Sequence, residues 1–386
     1  MRLSRRGFLK LGGVTFIAIA GGVVLRAADQ GIFSVGKGIA YEPWRNWRDA
    51  ATAPERVVAA GILASNPHNS QPWIFRINDL RIDLFADLER QIGVVDPFLR
   101  EMYIGLGCAL ENMVLAAQAE GFTAILELMP ALSNQAHVAH LRLAPASPLL
   151  SELYSAIPNR HTDRGAYDPS RPLPSETFEQ VESLVTEPDV RLFWYKSEAE
   201  RARFSKVANE ATESLVADEQ QSLDSHRWWR QDWDQLQESA DGITLDTQSL
   251  GPVITPIAKF LPDLPRQQND ATFVKNVREV MLPSAAAFGI LAVKDDSDNV
   301  QRLNCGRVWQ RIHLWGTTQG LAMQPLNQMC ERVDREVQLW SEPMIGEAVK
   351  ALVNDDAWQA LMPFRLGYPT GTVHLSPRRG LERVVS

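Results

Sequence analysis

Residues 160–164, Arg-His-Thr-Asp-Arg, bring two permanent positive charges and one hydroxyl group close together in the chain. In an extended backbone, alternate side chains point to the same side, so Arg160, Thr162 and Arg164 are expected to converge. Guanidinium groups bind phosphate oxygens through paired hydrogen bonds, and a hydroxyl group can satisfy a third oxygen. The pattern suits a phosphate monoester, although a solvated basic turn has the same composition.

A second polar segment, residues 65–73, reads Ser-Asn-Pro-His-Asn-Ser-Gln-Pro-Trp. It follows a helical pattern at residues 54–63 and precedes the alternating pattern of a strand at residues 73–77. Loops rich in Ser, Asn and Pro tolerate tight non-helical backbone and can present backbone N–H groups and amides to a ligand. The segment is therefore either a binding loop or a polar turn that ends in a Pro-Trp anchor.

Two more segments are candidates for the same site. Arg378 and Arg379 could add positive charge to a phosphate pocket from near the C-terminus. Residues 324–326, Gln-Pro-Leu, follow a helical pattern that ends at Gly320. A plain connection from a helix to a strand is the alternative interpretation of the second segment.

The pattern of regular elements predicts a mixed α+β fold in which two halves resemble each other. Strands are expected at residues 73–77, 80–85, 122–128, 138–143, 190–195 and 364–367. Helices are expected at residues 54–63, 101–120, 198–217, 221–238 and 304–318, and from residue 175. Residues 113–122 align with residues 312–321, since each is a helix that ends at a glycine before an apolar segment.

Composition limits the function classes. The chain has 386 residues and a mass of 43.2 kDa, which suits two domains or one duplicated domain. A formal net charge of −8 argues against binding to nucleic acid. The three cysteines have no spacing typical of a disulfide framework or a metal site. No Gly-x-Gly-x-x-Gly, phosphate-binding P-loop or nucleophile elbow is present.

Histidine spacing also gives no support for a metal site. His137 and His140 lie in an alternating strand pattern and are expected on opposite faces of that strand. No metal ligand and no catalytic acid or base is assigned from the sequence.

The first 28 residues are interpreted as a targeting signal rather than as part of the fold. Ser-Arg-Arg-Gly-Phe-Leu-Lys at residues 4–10 precedes an apolar run, residues 11–25, which is short and glycine-rich for a membrane span. The segment resembles a twin-arginine export signal. Ala27 and Ala28 could be cleaved, but Arg26 makes that site imperfect, so retention as an anchor stays open. We expect export through the twin-arginine translocase to the periplasm, or membrane anchoring outside the cytoplasm.

The chemistry-bearing segments resemble one known family. Residues 160–173 resemble the opening motif of the FMN-dependent nitroreductases, Arg-x-Ser/Thr-x-Arg/Lys followed by an aromatic residue. Residues 69–73, Asn-Ser-Gln-Pro-Trp, resemble the family's loop that reaches the partner's flavin across the subunit interface. Residues 324–328 resemble its proline-rich loop against the flavin ring. The resemblance covers about residues 54–386 and is greatest to the Acg-like FMN-binding proteins.

This resemblance implies a nitroreductase-like fold with two fused pseudo-symmetric halves in one chain, which mimics the dimer of ordinary members. The boundaries are a linker at residues 29–53, halves at residues 54–155 and 156–386, and a helical insertion at about residues 198–300. The implied cofactor is FMN. Its implied ligands are Asn66, Pro67 and Asn69 from the first half, and Arg160, Thr162, Arg164, Gln324, Pro325, Leu326, Arg378 and Arg379 from the second. Among these, Arg164 would stabilise negative charge near flavin N1 and O2.

Two functions are compatible with the resemblance. One is an oxidoreductase that reduces nitroaromatics, quinones or related acceptors through bound FMN. The other is an exported protein that sequesters FMN with little turnover, because NAD(P)H is scarce outside the cytoplasm. The first half lacks the Arg-x-Ser-x-Arg motif and the second lacks the Asn-x-Gln-Pro-Trp loop, so one FMN per chain is expected.

Overall fold

A computed structural model describes residues 30–131, 133–262 and 264–386. The predicted export signal therefore lies outside the described residues. Within the described ranges, no helix is both long and apolar enough to cross a membrane.

The N-terminal half contains four helices and four strands. In chain order they are α1 (Pro43–Asn46), α2 (Ala53–Gly61), β1 (Trp73–Asn78), β2 (Arg81–Ala86), α3 (Arg100–Ala119), β3 (Phe122–Leu128), β4 (His137–Pro145) and α4 (Glu152–Ala156). A short 3-10 turn, Pro67–Asn69, lies in the polar loop before β1.

The C-terminal half has the same number of strands and more helices. Its elements are α5 (Ser175–Ser183), β5 (Val190–Tyr195), α6 (Glu198–Ala217), α7 (Glu219–His226), α8 (Trp233–Ser239), α9 (Gly251–Phe260), α10 (Arg266–Asn276), α11 (Leu282–Ser284), β6 (Ala287–Val293), α12 (Asn299–Thr318), β7 (Ala322–Pro325), α13 (Gln328–Leu339), α14 (Met344–Val353) and β8 (Gln359–Gly367).

Each half forms one antiparallel four-stranded sheet. The strand orders are β1-β2-β4-β3 and β5-β6-β8-β7, so corresponding strands occupy corresponding places. Both sheets also carry a register shift between their second and third strands in that order. The predicted fold class, α+β with two pseudo-symmetric halves, is confirmed.

The two halves meet at a pair of long central helices. Helices α3 and α12 are each 20 residues long, and each is followed by a glycine with positive φ, Gly121 at 85° and Gly320 at 67°. A Cβ at Gly107 would lie 2.1 Å from the Leu303 carbonyl oxygen, and a Cβ at Gly306 would lie 2.0 Å from that of Ile104. This reciprocal contact is typical of an interface between equivalent surfaces.

One continuous hydrophobic cluster joins α3, α12 and a face of each sheet, and includes Trp73, Leu110, Trp309 and Phe364. A second cluster covers the opposite face of the second sheet with α6, α13 and α14. Strand β6 is buried on both faces, with Leu291 in the first cluster and Ile290 in the second. Its sequence is therefore uniformly apolar rather than alternating, and no strand was predicted there.

Two sequence expectations were wrong in detail. The helix expected at residues 221–238 is two helices, α7 and α8, separated by a segment around Arg230. His137 and His140 do not lie on opposite faces, because a β-bulge makes Phe85 pair with His137 and Leu84 with Ala139. Both imidazoles contact the same Asp83 oxygen, at 3.0 and 3.1 Å.

Candidate functional site

A polar cavity lies between the two halves, with a volume of about 470 Å³ that includes space open to solvent. It is lined by residues from the loop before β1, the segment before α5, the segment between α8 and α9, and the C-terminal segment. These residues are Ser65, Asn66, Asn69, Arg160, His161, Thr162, Arg164, Gly242, Ile243, Thr247, His374, Ser376 and Arg378. The cavity therefore brings together segments that are far apart in the sequence.

Arg160 is almost fully enclosed in the cavity, with 2% of its surface exposed. One terminal nitrogen donates to the Leu63 carbonyl oxygen at 3.1 Å, and the other lies 3.5 Å from His313 Nδ1. Its Nε is buried and has no hydrogen-bond partner among the described residues. Since the opposite ring nitrogen of His313 lies 3.2 Å from the His161 carbonyl oxygen, the geometry requires neutral His313 with its proton on Nε2.

Arg378 is held beside Arg160 by four acceptors. It donates to the Asn69 side-chain oxygen, to Ser376 Oγ at 2.7 Å, and to the carbonyl oxygens of Pro377 and Ala64 at 2.9 and 3.2 Å. Its Nε is likewise buried without a partner within the described ranges.

Trp44 supports both Arg378 and its neighbour His161. The Arg378 guanidinium carbon lies 4.8 Å from the centre of the Trp44 ring. The His161 ring packs edge to face on the same indole, with 4.8 Å between the ring centres. The predicted linker at residues 29–53 therefore supplies a buried tryptophan to the site.

Arg164 reaches the cavity from the end of the Arg-x-Thr-x-Arg segment. It donates to the Thr247 carbonyl oxygen at 3.4 Å. Behind it, buried Arg365 donates to the carbonyl oxygens of Asp163 and Gly165, at 3.3 and 2.8 Å, and lies on the Tyr167 ring. These bonds fix the backbone on both sides of Arg164 and so orient its side chain.

The polar loop before β1 is fixed by its own amides. Three of its non-glycine residues, His68, Asn69 and Gln71, have positive φ angles of 47°, 55° and 53°. Such a backbone persists where surrounding contacts fix it. The Asn66 side chain accepts from the Gln71 N–H at 2.8 Å, and Asn69 donates to the Pro377 carbonyl oxygen at 2.9 Å.

The segment between α8 and α9 covers this loop. Asn69 donates to the Gly242 carbonyl oxygen at 3.1 Å, and Gln71 donates to that of Ala240 at 2.8 Å. The Asp241 carboxylate forms ion pairs with Arg90 and Arg230. Polar contacts thus hold the cover of the cavity closed against the N-terminal half.

The cavity is electrostatically unbalanced. Among the residues that the structure describes, three arginines line it and no carboxylate does. Across the described residues, none of Arg160, Arg164 and Arg378 forms an ion pair. Burial lowers the pKa of Arg160 and of Arg164 to about 10, and that of Arg378 well below its usual value. Arg160 and Arg378 are buried and Arg164 is partly buried. Buried cations without counter-charge are costly, so the cavity favours an anionic ligand.

Two histidines of the site, His161 and His313, have lowered pKa values and are neutral at physiological pH. Burial, and then the nearby Arg160 and Arg378, lower the pKa of His161 to about 3. Burial and Arg160 lower the pKa of His313 well below its usual value. Neutral imidazoles leave the positive charge on the guanidinium groups.

The structure gathers most, but not all, of the residues expected to bind a cofactor. Asn66, Asn69, Arg160, Thr162, Arg164 and Arg378 line the cavity. Five others do not: Pro67, Gln324, Pro325, Leu326 and Arg379.

Two of these five, Gln324 and Arg379, nevertheless contact residues that shape the site. Gln324 accepts from Arg365 Nε at 2.7 Å, so it acts on the Arg164 segment indirectly. Arg379 donates to the Gln71 carbonyl oxygen at 3.2 Å and lies 3.9 Å from Asp87. Pro325 and Leu326 lie at the edge of the second sheet, where they meet Phe364 and Pro363.

Several site residues were missed by sequence reasoning. His313 lies on α12, where it had the pattern of an ordinary helical residue, and Thr247 lies in a segment that was not assigned. Arg365 is within a strand whose neighbours are apolar. The sequence did contain one signal for Arg365, a single arginine inside an apolar strand, because a buried charge needs several hydrogen-bond acceptors around it.

No cluster of three or more metal-binding side chains occurs among the described residues. The site is therefore described by its cations, its amides and its hydroxyl groups.

The chain is similar to several known proteins. No protein-family model matches the chain. The chain is 26% identical over 346 residues to Rv3131 of Mycobacterium tuberculosis, with 87% of this chain and 92% of Rv3131 covered. The curated name of Rv3131 assigns it provisionally to the NAD(P)H nitroreductases. A second protein of that organism, Acg, carries the same provisional assignment and is 27% identical over 278 residues, 69% of this chain and 78% of Acg.

Among solved structures, the chain is similar to the FMN-dependent nitroreductase NfnB of Mycobacterium smegmatis, determined in complex with NADPH. The TM-score is 0.39 at 16% sequence identity, with 61% of this chain and 97% of NfnB covered. The chain is thus similar over most of its length to proteins named as nitroreductases.

Proposed function

We propose that the protein binds FMN and is an oxidoreductase of the nitroreductase superfamily. The observation that carries the proposal is the convergence of Arg160, Arg164 and Arg378 in a cavity that has no carboxylate in its lining. The names of the relatives supply the reaction class, and the buried cations supply the reason for a phosphate-bearing cofactor.

The residues present fit a phosphate monoester. The Nε atoms of Arg160 and Arg378 are buried donors that lack a partner among the described residues, so the cavity has hydrogen-bonding capacity that a ligand could satisfy. Thr162 adds a hydroxyl group and Asn66 an amide in the same lining. A phosphate dianion would offset the charge of two guanidinium groups and accept from them bidentately.

When bound, FMN supplies the electron-transfer chemistry. The protein binds its phosphate through Arg160 and Arg378 and presents Arg164 as a fixed positive charge to the rest of the ligand. Because Arg365 and Gln324 hold the backbone around Arg164, that charge is already oriented before a ligand binds. The segment that covers the cavity limits the access of water to these charges, which strengthens their effect.

The acceptor class that we propose is nitroaromatic compounds, quinones or related molecules, and the name of the relative Rv3131 makes NAD(P)H the reductant with which turnover is tested. The polar contacts of Asn69 and Gln71 with the covering segment favour a second candidate, an FMN-sequestering protein with little turnover. Anaerobic addition of NADPH separates the two, since an oxidoreductase loses its flavin absorbance within minutes and a sequestering protein does not.

We also propose one FMN per chain, bound by a monomer that contains both halves. The polar loop and the arginine segment occur once each, in opposite halves. Helix α5 in the second half corresponds to α2 in the first. Just after α5, Arg311 donates to the Leu184 carbonyl oxygen and forms ion pairs with Glu111 and Glu187. This second position is already neutralised, so it has no need of an anion.

The FMN proposal is tested by ligand selectivity. Truncation of a buried charge partner commonly costs about 2–5 kcal/mol. We therefore expect Arg160→Ala to weaken FMN binding by at least about tenfold, equivalent to about 1.4 kcal/mol, and riboflavin binding much less. Arg379→Ala is the matched control, because it removes an arginine next to the cavity but outside its lining.

Equal losses of FMN and riboflavin affinity in Arg160→Ala would remove Arg160 from the phosphate site. A loss of FMN affinity in Arg379→Ala as large as that in Arg160→Ala would show that the cavity lining does not define the site.

Export through the twin-arginine translocase is proposed on the sequence of residues 4–10. The cargo of this route is folded, so the protein would acquire FMN before export and work in the periplasm or at a membrane surface that faces it.

A further inference from the structure

Helix α9 buries polar side chains and exposes apolar ones to solvent. Its two buried side chains are Thr255 and Lys259, one turn apart. Three of its apolar side chains, Val253, Ile254 and Ile257, point outward instead and are 55% to 70% exposed. Leu261 and Leu264, which follow the helix, are 54% and 45% exposed. A helix at the surface of a globular protein normally buries its apolar face, so an exposed apolar face indicates a binding surface for an apolar partner.

The inward face of α9 is fixed by an ion pair. Lys259 Nζ donates to Asp246 at 2.9 Å, and both side chains are almost fully buried. Rotating the helix to bury its apolar residues would break this pair and leave a buried carboxylate uncompensated. The outward orientation of the isoleucines is therefore part of the fold.

The start of the described chain lies against the same helix. Lys259 Nζ also lies 3.4 Å from the Gly31 carbonyl oxygen. The preceding sequence contains the apolar run at residues 11–25, which lies outside the described residues and is short for a membrane span. The sequence thus carries an apolar run before Gly31, and Gly31 contacts the helix that exposes the second apolar segment. Two weak membrane signals together give stable attachment where one does not.

We propose that the exposed face of α9 docks on a lipid bilayer, next to the point where residues 11–25 precede the fold. Attraction to anionic headgroups is not the cause, since the one described charge between residues 250 and 264 is the buried Lys259. The other charge of that segment in the sequence is Asp263, which lies outside the described residues. Docking by apolar insertion is insensitive to salt and does not depend on bound FMN.

The test uses the full-length chain and sedimentation with phosphatidylcholine vesicles. We expect Ile254→Ser/Ile257→Ser to weaken vesicle binding by at least about tenfold. Leu149→Ser/Leu150→Ser is the matched control, because it removes two similarly exposed apolar side chains, at 58% and 72%, from another surface. This control should bind like the wild type.

Several results would overturn the proposal. Wild-type binding by the α9 variant would show that residues 11–25 account for all membrane affinity. Binding that requires phosphatidylglycerol and is lost in salt would show an electrostatic mode. A change from dimer to monomer in the α9 variant, with vesicle binding unchanged, would make the face an interface between copies.

A second measurement does not depend on the folding of the double variant. The native cysteines, Cys108, Cys305 and Cys330, are buried and free, so a spin label attached to Ile254→Cys reports on α9 alone. Vesicles should protect this label from a water-soluble relaxation agent and expose it to oxygen. Equal accessibility with and without vesicles would refute docking.

Discussion

The crossing of α3 and α12 gives a prediction whose size follows from the structure. A Cβ added to Gly107 would lie 2.1 Å from the Leu303 carbonyl oxygen, well inside any van der Waals contact. The obstacle is helix backbone, which cannot rotate away as a side chain can, so the helices must separate by about 1 Å.

Gly107→Ala therefore combines two opposing effects. The substitution gains about 1 kcal/mol of helix propensity. Overpacking in a core typically costs about 1–3 kcal/mol, and a clash between two backbones belongs at or beyond the upper end of that range. We expect a net loss of about 2 kcal/mol, which lowers the Tm by about 2–3 °C in a chain of 386 residues.

Thermal unfolding followed by circular dichroism measures the effect, with Gly346→Ala as the matched control. Gly346 is also helical, but its nearest neighbours would lie at ordinary contact distance, 3.4 Å. The control should be neutral or slightly stabilised. Gly107→Ala/Gly306→Ala should lose less than the sum of the single losses, because the first substitution already separates the helices. Equal stability of Gly107→Ala and Gly346→Ala would refute the close crossing.

Three further predictions concern the site and the signal. Burial lowers the pKa of His161 from 6.5 to about 3, so the unfolded state binds the proton more tightly and the free energy of unfolding should fall as the pH drops from 6.5 towards 3. Urea denaturation of His161→Gln should show a smaller dependence of the free energy of unfolding on pH. An unchanged pH dependence in this variant would count against a buried, neutral His161. Replacing Arg5 and Arg6 with Lys should leave flavin-loaded protein in the cytoplasm, as fractionation would show; continued export would disprove the signal. Mixing Asn69→Ala with Arg160→Ala chains should not restore FMN binding, because both segments act in the same chain; restored binding in a titration would indicate exchange between chains.

The local segments of the site were predictable because their chemistry is local. Arg160, Thr162 and Arg164 share one short stretch, and their side chains are close wherever that stretch goes. The strands at residues 122–128 and 190–195 were predicted with their observed bounds, since turn residues or a helix cap flank each of them. The α+β class followed from the alternation of helical and strand patterns, and the two halves from the family resemblance.

What could not be predicted depends on contacts between distant segments. The neutral state of His313 depends on Arg160, and the position of Arg378 depends on Trp44 and Asn69. The sequence of α9 has the amphipathic pattern of a core helix, and only the buried ion pair of Lys259 reveals that its apolar face points outward. Strand β6 was missed because burial on both faces removes the alternation that marks a strand.

Flavin content tests most directly whether the arginine cavity holds FMN. Full-length protein is saturated with equal concentrations of FMN and riboflavin, separated from free flavin by gel filtration and denatured, and the released flavin is quantified by chromatography. We expect one FMN per chain and little riboflavin, because the buried guanidinium groups of Arg160 and Arg378 require the phosphate. Equal amounts of the two flavins, or no bound flavin, would contradict the assignment of this cavity to FMN.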